Sequence, residues 1–307
     1  MLGVQYDLAA SPKTASIPPE KVAKTVDAIA VALDDPEACV SEDHVESLYG
    51  LLQHCASIMV KGAFHLPFST VALKQAKRKK FAHVHKGWKS ELQWWSQLLL
   101  KWNGVAMIVP LATLRPTSDA IVSPTTDAAN SKKKLSGGAG AVFGHRFQHF
   151  RFTPEESSIL TIMDLEALTC VLWLHTLCHV CPTEVMGKRF IMWCDNDAVV
   201  QAVQSNKSNI PTLAFFLEVL HDLQCRFSFE LQLEWIDTKS NRLSDALSRD
   251  EIEVFKQEMT KRGYKSHSLV FVPIQQDRRS AWSSSMRQRR LIESALLPKP
   301  DAPTGPA

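Results

Sequence analysis

No stretch of eighteen apolar residues occurs in this chain of 307, so no segment has the length and apolarity of a membrane-spanning helix. The first thirty residues lack a basic segment followed by an apolar one, so no secretory signal is expected. Cysteine is sparse, scattered and odd in number at seven, which fits reduced thiols inside a cell, in cytoplasm or nucleus alike. The N-terminal half has no internal repeats. Gly137-Gly138-Ala139-Gly140 is too loose for a phosphate-binding loop, and no helix is expected after it. Cys178-His179-Val180-Cys181, with His175, has zinc-like spacing but lacks a second pair, so buried thiols at the end of an amphipathic helix are expected instead.

What is present is a globular composition with segregated charge. Hydrophobic residues make up 45% of the chain, enough for a core. The net charge of +3 hides a balance of −6 over residues 1–59 and +9 over 60–115, then −4 over 116–250 and +4 over 251–307. A basic block beside a carboxylate-rich region suits a polyanion gripped in one place and cut in another. The competing account is a solvated helix face.

The pattern along the chain changes near residue 116. Before it, a short strand from Met1 to Leu8 leads to a helix opened by Pro18-Pro19, with Val22, Val26, Ile29 and Leu33 at helical spacing. Ser41 reads as the N-cap of the next helix, striped by Val45, Leu48, Leu52 and Cys55. A basic cluster of Lys74, Lys77, Arg78, Lys79 and Lys80 then leads to Trp88, Leu92, Trp95, Leu98 and Leu99. Trp94-Trp95 and Trp102 read as core before they read as base-stacking platforms.

After residue 116, short strands alternate with helices. Ala120-Ile121-Val122 begins a strand expected to end at Asp127, and Lys132-Lys133-Lys134 with Gly137-Gly138 marks a turn. Strands follow over Ala139–Gly144, Phe147–Phe152, Arg189–Cys194 and Phe227–Ile236. Helices are expected through Leu165–His175, on both sides of Pro211, and from Leu243 to Gly263. The order predicts an α/β fold with a mixed five-stranded sheet flanked by helices. Residues 264–307, with Ser283-Ser284-Ser285, an Arg-rich stretch and a proline-rich end, read as a flexible tail. Val270-Phe271-Val272 is an extra strand of little weight.

Four acids sit at expected strand ends and helix starts: Asp127, Glu166, Asp195 and Asp245. Each has an ordinary account. Asp127 could be a turn residue, with Asp119 as a competitor, and Glu166 a solvated helix position. Asp195 could belong to an Asp-Asn turn, and Asp245 could be a first-turn acid favoured by the helix dipole. Gathered in one pocket, they would hold protons or bind metal.

These residues resemble ribonuclease H, and more closely the ribonuclease H module fused to reverse transcriptases in retrotransposons. Thr126-Asp127-Ala128-Ala129 with Gly138-Ala139-Gly140-Ala141 looks like the family's first hairpin, and Leu165-Glu166-Ala167-Leu168 like its glutamate helix. Cys194-Asp195-Asn196-Asp197-Ala198 resembles its aspartate-asparagine motif. Trp235-Ile236-Asp237 and Ser244-Asp245-Ala246-Leu247-Ser248-Arg249 resemble its last strand and terminal motif, the most specific single piece. Upstream, Ile17-Pro18-Pro19-Glu20-Lys21 and Ser47-Leu48-Tyr49-Gly50-Leu51-Leu52 look like a palm running into a thumb. Trp94-Trp95 and Lys101-Trp102-Asn103-Gly104 look like the connector of DIRS-type elements.

The resemblance implies a palm end and thumb over 1–59, a basic connector over 60–115 and a ribonuclease H-like domain over 116–263. It implies hydrolysis of the RNA strand of RNA–DNA hybrids with two Mg²⁺, for which Mn²⁺ can substitute. Asp127, Glu166, Asp195 and Asp245 would be ligands. Asn196 and Asn241 would contact the hybrid, and the five basic residues from Lys74 to Lys80 would hold it upstream. A further partner is the polymerase part of the same element, because no Tyr-X-Asp-Asp motif occurs here. The loop from Asp237 to Ser244 has no histidine, and the turn after Asp127 carries an insertion; neither removes a ligand. The rivals are an inactive scaffold of the same fold that binds nucleic acid, and a transposase or integrase, which would lack a glutamate in the first long helix.

Overall fold

Proline and paired acids start the helices of the N-terminal region, and small or apolar side chains close them together. A computed structural model describes residues 3–10, 13–34, 39–101, 105–108, 124–130 and 137–296. It divides into two compact units. The first comprises residues 1–112 with 183–189 and 221–230, and the second comprises the remainder.

In the first unit, β1 (Gln5–Asp7), β2 (Thr14–Ser16) and β5 (Val105–Met107) form an antiparallel sheet in the order β1-β2-β5. Helix α1 (Pro19–Asp34) follows β2. Strand β3 (Cys39–Ser41) leads to α2 (Glu42–Ile58) and pairs antiparallel with β4 (Phe81–His83). Ser41 stands at the N-cap of α2 but makes no side-chain cap bond; Glu42 and Asp43 in the first turn suit the helix dipole instead. Helix α3 (Pro67–Lys79) and helix α4 (Lys86–Lys101) flank β4, so the basic and tryptophan-bearing stretches are separate helices. Ile29, Leu48, Leu52, Trp88, Leu92 and Trp95 share one core. That core joins residues on both sides of position 60, so no fold boundary lies there. Trp95 donates to His65 O at 2.6 Å and Trp94 to Asp222 at 2.8 Å, as expected of core tryptophans; Trp102 lies outside the described residues.

The second unit is built on a mixed sheet. Strand β6 (Thr125–Ala129) pairs antiparallel with β7 (Gly138–Phe143), which pairs antiparallel with β8 (Arg146–Arg151). The helices α5 (Pro154–Ile159) and α6 (Ile162–Val180) follow, each opened by a capping box. After the short α7 (Pro182–Val185), β9 (Arg189–Cys194) runs parallel to β6. Then come α8 (Asp197–Ser205), α9 (Pro211–Phe227), β10 (Glu230–Trp235), α10 (Arg242–Ser248) and α11 (Ile252–Lys261). The chain closes this unit with β11 (Val270–Phe271) and α12 (Gln276–Leu296). The strand order among the described residues is β10-β9-β6-β7-β8-β11.

Four expectations need correction. The sheet has six described strands, because β11 adds in parallel to the β8 edge through Val270 N to His145 O at 2.9 Å and Val272 N to Phe147 O at 2.8 Å. The helix expected from Leu243 to Gly263 is two helices, broken where Asp250 takes φ of 66°. Residues 264–296 are not a flexible tail: α12 packs on α5 and α6 and buries Met286 and Arg279. Asp127 is the middle residue of β6 instead of its end. Asp119, Ala120–Val122, the three-lysine turn and residues 297–307 lie outside the described residues. Among those described, no helix is long and apolar enough to cross a membrane.

Helix α6 is buried on all sides from Asp164 to Cys178, the pattern of a helix enclosed by other elements. Side chains alternate across β-strands, which sorts the two faces of the sheet. Val142 and Phe147 pack with Leu243, Leu247, Phe255 and Met259 of α10 and α11. Gln148, one residue on, points the other way and donates to Thr176 of α6 at 3.2 Å. Helix α6 and the α10–α11 pair therefore cover opposite faces.

Candidate metal centre

Strand register places the first two carboxylates. Thr126 of β6 is level with Cys194 of the parallel strand β9, so Asp127 and Asp195 stand one step further along neighbouring strands. Asp127 is 4% exposed, and Ser248 Oγ donates a short hydrogen bond to its Oδ2. Thr238 Oγ1 donates to Asp195 Oδ2 at 2.9 Å, and the Asp195 carbonyl accepts from the indole of Trp235 at 3.2 Å. The Trp235 ring itself is 52% exposed beside that carboxylate.

Asp245 arrives from the α10 face because two glycines let that helix touch the sheet. Asp127 pairs with Gly140 and Ala129 with Gly138. A Cβ on Gly140 would lie 2.2 Å from Ser244 O, and one on Gly138 2.3 Å from Ser248 O. Any larger side chain there would push α10 away. At this close approach Ser244 Oγ and Thr125 Oγ1 are 2.6 Å apart, and Asn241 Nδ2 donates to Thr126 O at 2.9 Å. Asp245 is held on its outer side by Arg249 Nε at 2.7 Å.

Glu166 enters from α6 and is 2% exposed. Its Oε1 accepts from Ala128 N at 2.7 Å, while Oε2 is buried with no hydrogen-bond partner among the described residues. One oxygen of Glu166, one of Asp195 and the Cys194 sulfur lie within 4.8 Å of one another.

The electrostatics follow from this packing. Burial pushes Asp127 up to about 7; the Ser248 hydrogen bond and Arg249 oppose this, and the charges of Asp195 and Asp245 reinforce it. Burial, then Asp127 and Asp195, hold Glu166 well above the usual carboxylate range. Burial and then Glu166 also hold the Cys194 thiol far above its ordinary value. The four acids, Asp127, Glu166, Asp195 and Asp245, offer oxygen donors. Such a set attracts Mg²⁺ or Mn²⁺ over softer metals.

The other expected site residues are placed differently. Asn241 is 2% exposed; its Nδ2 donates to Thr126 O, while its Oδ1 has no hydrogen-bond partner among the described residues. Asn196 caps α8 by accepting from Val199 N at 3.3 Å. Lys74, Lys77, Arg78, Lys79 and Lys80 are all exposed on or just after α3 in the first unit, with Lys77 paired to Glu46 and Lys80 to Glu42. His175, Cys178, His179 and Cys181 form no metal-holding group among the described residues. His179 Nδ1 bonds the His175 carbonyl at 2.7 Å, burial above all drives His175 down to about 4, and Cys178 is held protonated by burial.

Residue patterns alone missed the supports: Ser248, Ser244, Thr238, Gly138 and Gly140. Only the spacing of Ser244 and Ser248, four residues apart and hence on one helical face, signalled the first two.

No family model and no curated protein matches the chain. Among solved structures it is similar to the N-terminal RNase H domain of Rv2228c from Mycobacterium tuberculosis, fused to maltose-binding protein. The identity is 19%, over 45% of this chain and 98% of that one, with a TM-score of 0.30. It is also similar to RNase H1 from Halobacterium salinarum NRC-1, at 14% identity over 43% of this chain and 97% of that one, again with a TM-score of 0.30. At these values the functional reading rests on the carboxylate geometry alone.

Proposed function

We propose that the second unit is a ribonuclease H-type endonuclease that hydrolyses the RNA strand of an RNA–DNA hybrid. The observation that carries this reading is the unpartnered Oε2 of a fully buried Glu166 beside Asp127 and Asp195. A buried oxygen without a donor among like charges is costly unless a proton or a cation completes it, and at a pH where the cluster ionises the cation takes that place. Asp127, Glu166, Asp195 and Asp245 would hold the metal. Two bound Mg²⁺ supply activation of an attacking water and stabilisation of the leaving oxygen.

The chain's own residues orient the donors. The Ser248 hydroxyl fixes the Asp127 carboxylate, the Thr238 hydroxyl fixes Asp195, and the Ala128 amide fixes one oxygen of Glu166. Arg249 turns Asp245 and offsets its charge. The exposed Trp235 indole offers a face for a sugar or base beside Asp195. Selection of the RNA strand would depend on contact with the 2′-hydroxyl. The first unit would be the thumb and connector of a reverse transcriptase from a DIRS-type retroelement, with its α3 lysines holding the hybrid.

The test is cleavage of an end-labelled hybrid by the full chain. Cleavage in Mg²⁺, loss in EDTA and loss in Asp195→Asn are expected. A folded parent chain that binds the hybrid without cutting it would leave the inactive scaffold as the answer.

A further inference from the structure

Helix α12 reads from its residues as a solvated, arginine-rich tail, yet two of its arginines pair with buried acids. Arg279 donates to Glu156 of α5 from Nη2 at 2.6 Å and to the Arg151 carbonyl at 2.7 Å. Three turns later, Arg290 forks onto Asp164 of α6. Its Nη2 lies 2.7 Å from Oδ1 and 2.8 Å from Oδ2, and its Nε lies 3.0 Å from Oδ2. The Asp164 side chain is fully buried and that of Arg290 is 16% exposed.

Asp164 is more than an anchor for α12. It is the capping-box acid of α6, accepting from Thr161 N and Thr161 Oγ1, each at 2.8 Å. It also accepts from Thr212 Oγ1 of α9 at 2.6 Å. One carboxylate thus ties the start of α6 to α9 and α12. Glu166 lies two residues further along the same first turns. One of its oxygens is bound to Ala128 N of β6 and the other is unpartnered. A tilt or shift of the start of α6 against β6 therefore moves the Glu166 carboxylate relative to Asp127 and Asp195. Metal sites tolerate displacements of only about half an ångström, and residues that orient a ligand at one remove are worth roughly 10–100-fold in metal affinity.

We infer that Arg290 is a positioning residue for the candidate metal centre: through Asp164 it sets the start of α6 and hence the placement of Glu166. This rests on the metal-binding reading above. Arg279 supplies the control, because it makes the same kind of buried pair from the same helix but to Glu156 of α5, which carries no candidate ligand.

The experiment is a Mn²⁺ titration of the full chain, followed both by electron paramagnetic resonance of free Mn²⁺ and by thermal midpoint. Arg290→Met, which acts through Asp164 without touching Glu166, is expected to raise the Mn²⁺ half-saturation point by about threefold or more, short of the roughly 10–100-fold of a direct partner. Arg279→Met lowers the metal-free thermal midpoint but keeps the half-saturation point within about twofold of the parent. Arg290→Lys, which keeps the charge and loses the fork, gives an intermediate shift and decides the matter if the methionine variant does not fold. Parent-like Mn²⁺ binding in folded Arg290 variants, or an equal shift in Arg279→Met, would overturn the positioning role and leave the metal centre standing. A parent chain that binds no Mn²⁺ overturns the metal centre itself.

Discussion

Glu91 of the first unit and Glu166 of the second are both buried, and they are treated oppositely. Glu91, in α4 of the first unit, is 8% exposed and accepts from Phe68 N and Ser69 N at 2.8 Å each and from Ser69 Oγ. It closes the N-terminus of α3, where the free amides and the dipole favour an anion. Glu166 in the second unit is buried more deeply, receives one amide and faces other carboxylates. Burial raises the pKa of both, but for Glu91 the Ser69 and Phe68 donors pull back, whereas for Glu166 the neighbouring acids push further. A buried acid with its donors supplied is a structural cap. One left short of donors among its own kind is what we propose as a metal ligand.

The sharpest way to break this comparison is to neutralise one acid of each kind. Asp195→Asn should take hybrid cleavage to background while the metal-free thermal midpoint holds or rises, since one repelling charge is gone. Glu91→Ala should do the reverse. It strands the amides at the start of α3 and costs about 2 kcal/mol, read by denaturant unfolding, while cleavage per folded molecule persists. Cleavage near the parent rate by Asp195→Asn would show that the second unit's acids are as structural as Glu91.

Gly140→Ala tests whether glycine brings the acids together. Its Cβ would meet Ser244 O at 2.2 Å, which costs about 3 kcal/mol of overpacking or moves α10 outward. Cleavage should fall even where the fold survives, because Asp245 and Ser248 leave Asp127. Unchanged stability and activity would mean that α10 is seated otherwise.

The acids also predict a pH signature of opposite sign with and without metal. A carboxyl raised by folding contributes stability that is complete below its unfolded value and is lost as pH rises through its folded value. For Asp127 that window runs from about 4 up to about 7. The metal-free chain should therefore lose stability across it, and Mg²⁺ should restore more at pH 8 than at pH 5. A thermal midpoint indifferent to Mg²⁺ at both values would count against the cluster as a site.

The smallest effect on stability is expected on the exposed face of α3. Replacing Lys77, Arg78, Lys79 and Lys80 with alanine removes surface pairs to Glu46 and Glu42, which solvent screens. If the block grips hybrid, the same change should flatten the salt dependence of binding. An unchanged slope would leave these side chains as a solvated face.

Much of the second unit was legible in residue patterns. The β9 bounds, Arg189–Cys194, follow from an apolar run closed by Asp195. The helix expected through Leu165–His175 lies within α6. Less legible was whatever depended on partners far along the chain. Asn241 sits in a motif that looked like a substrate contact, and the donation of its Nδ2 to Thr126, 115 residues away, had no local signal. Helix α12 was read as tail because its residues are polar. Its docking comes from Arg279 and Arg290 finding acids 123 and 126 residues earlier.

Local rules thus decided most of the strands and helices from β7 to α10 and the segregation of charge, because periodicity, caps and turns act over a few residues. The meeting of Glu166 with Asp195, the seating of α10 on two bare glycines and the docking of the α12 arginines were decided only by tertiary packing. Desolvation and the supply of donors are properties of a neighbourhood assembled from distant segments, and they separate Glu166 from Glu91.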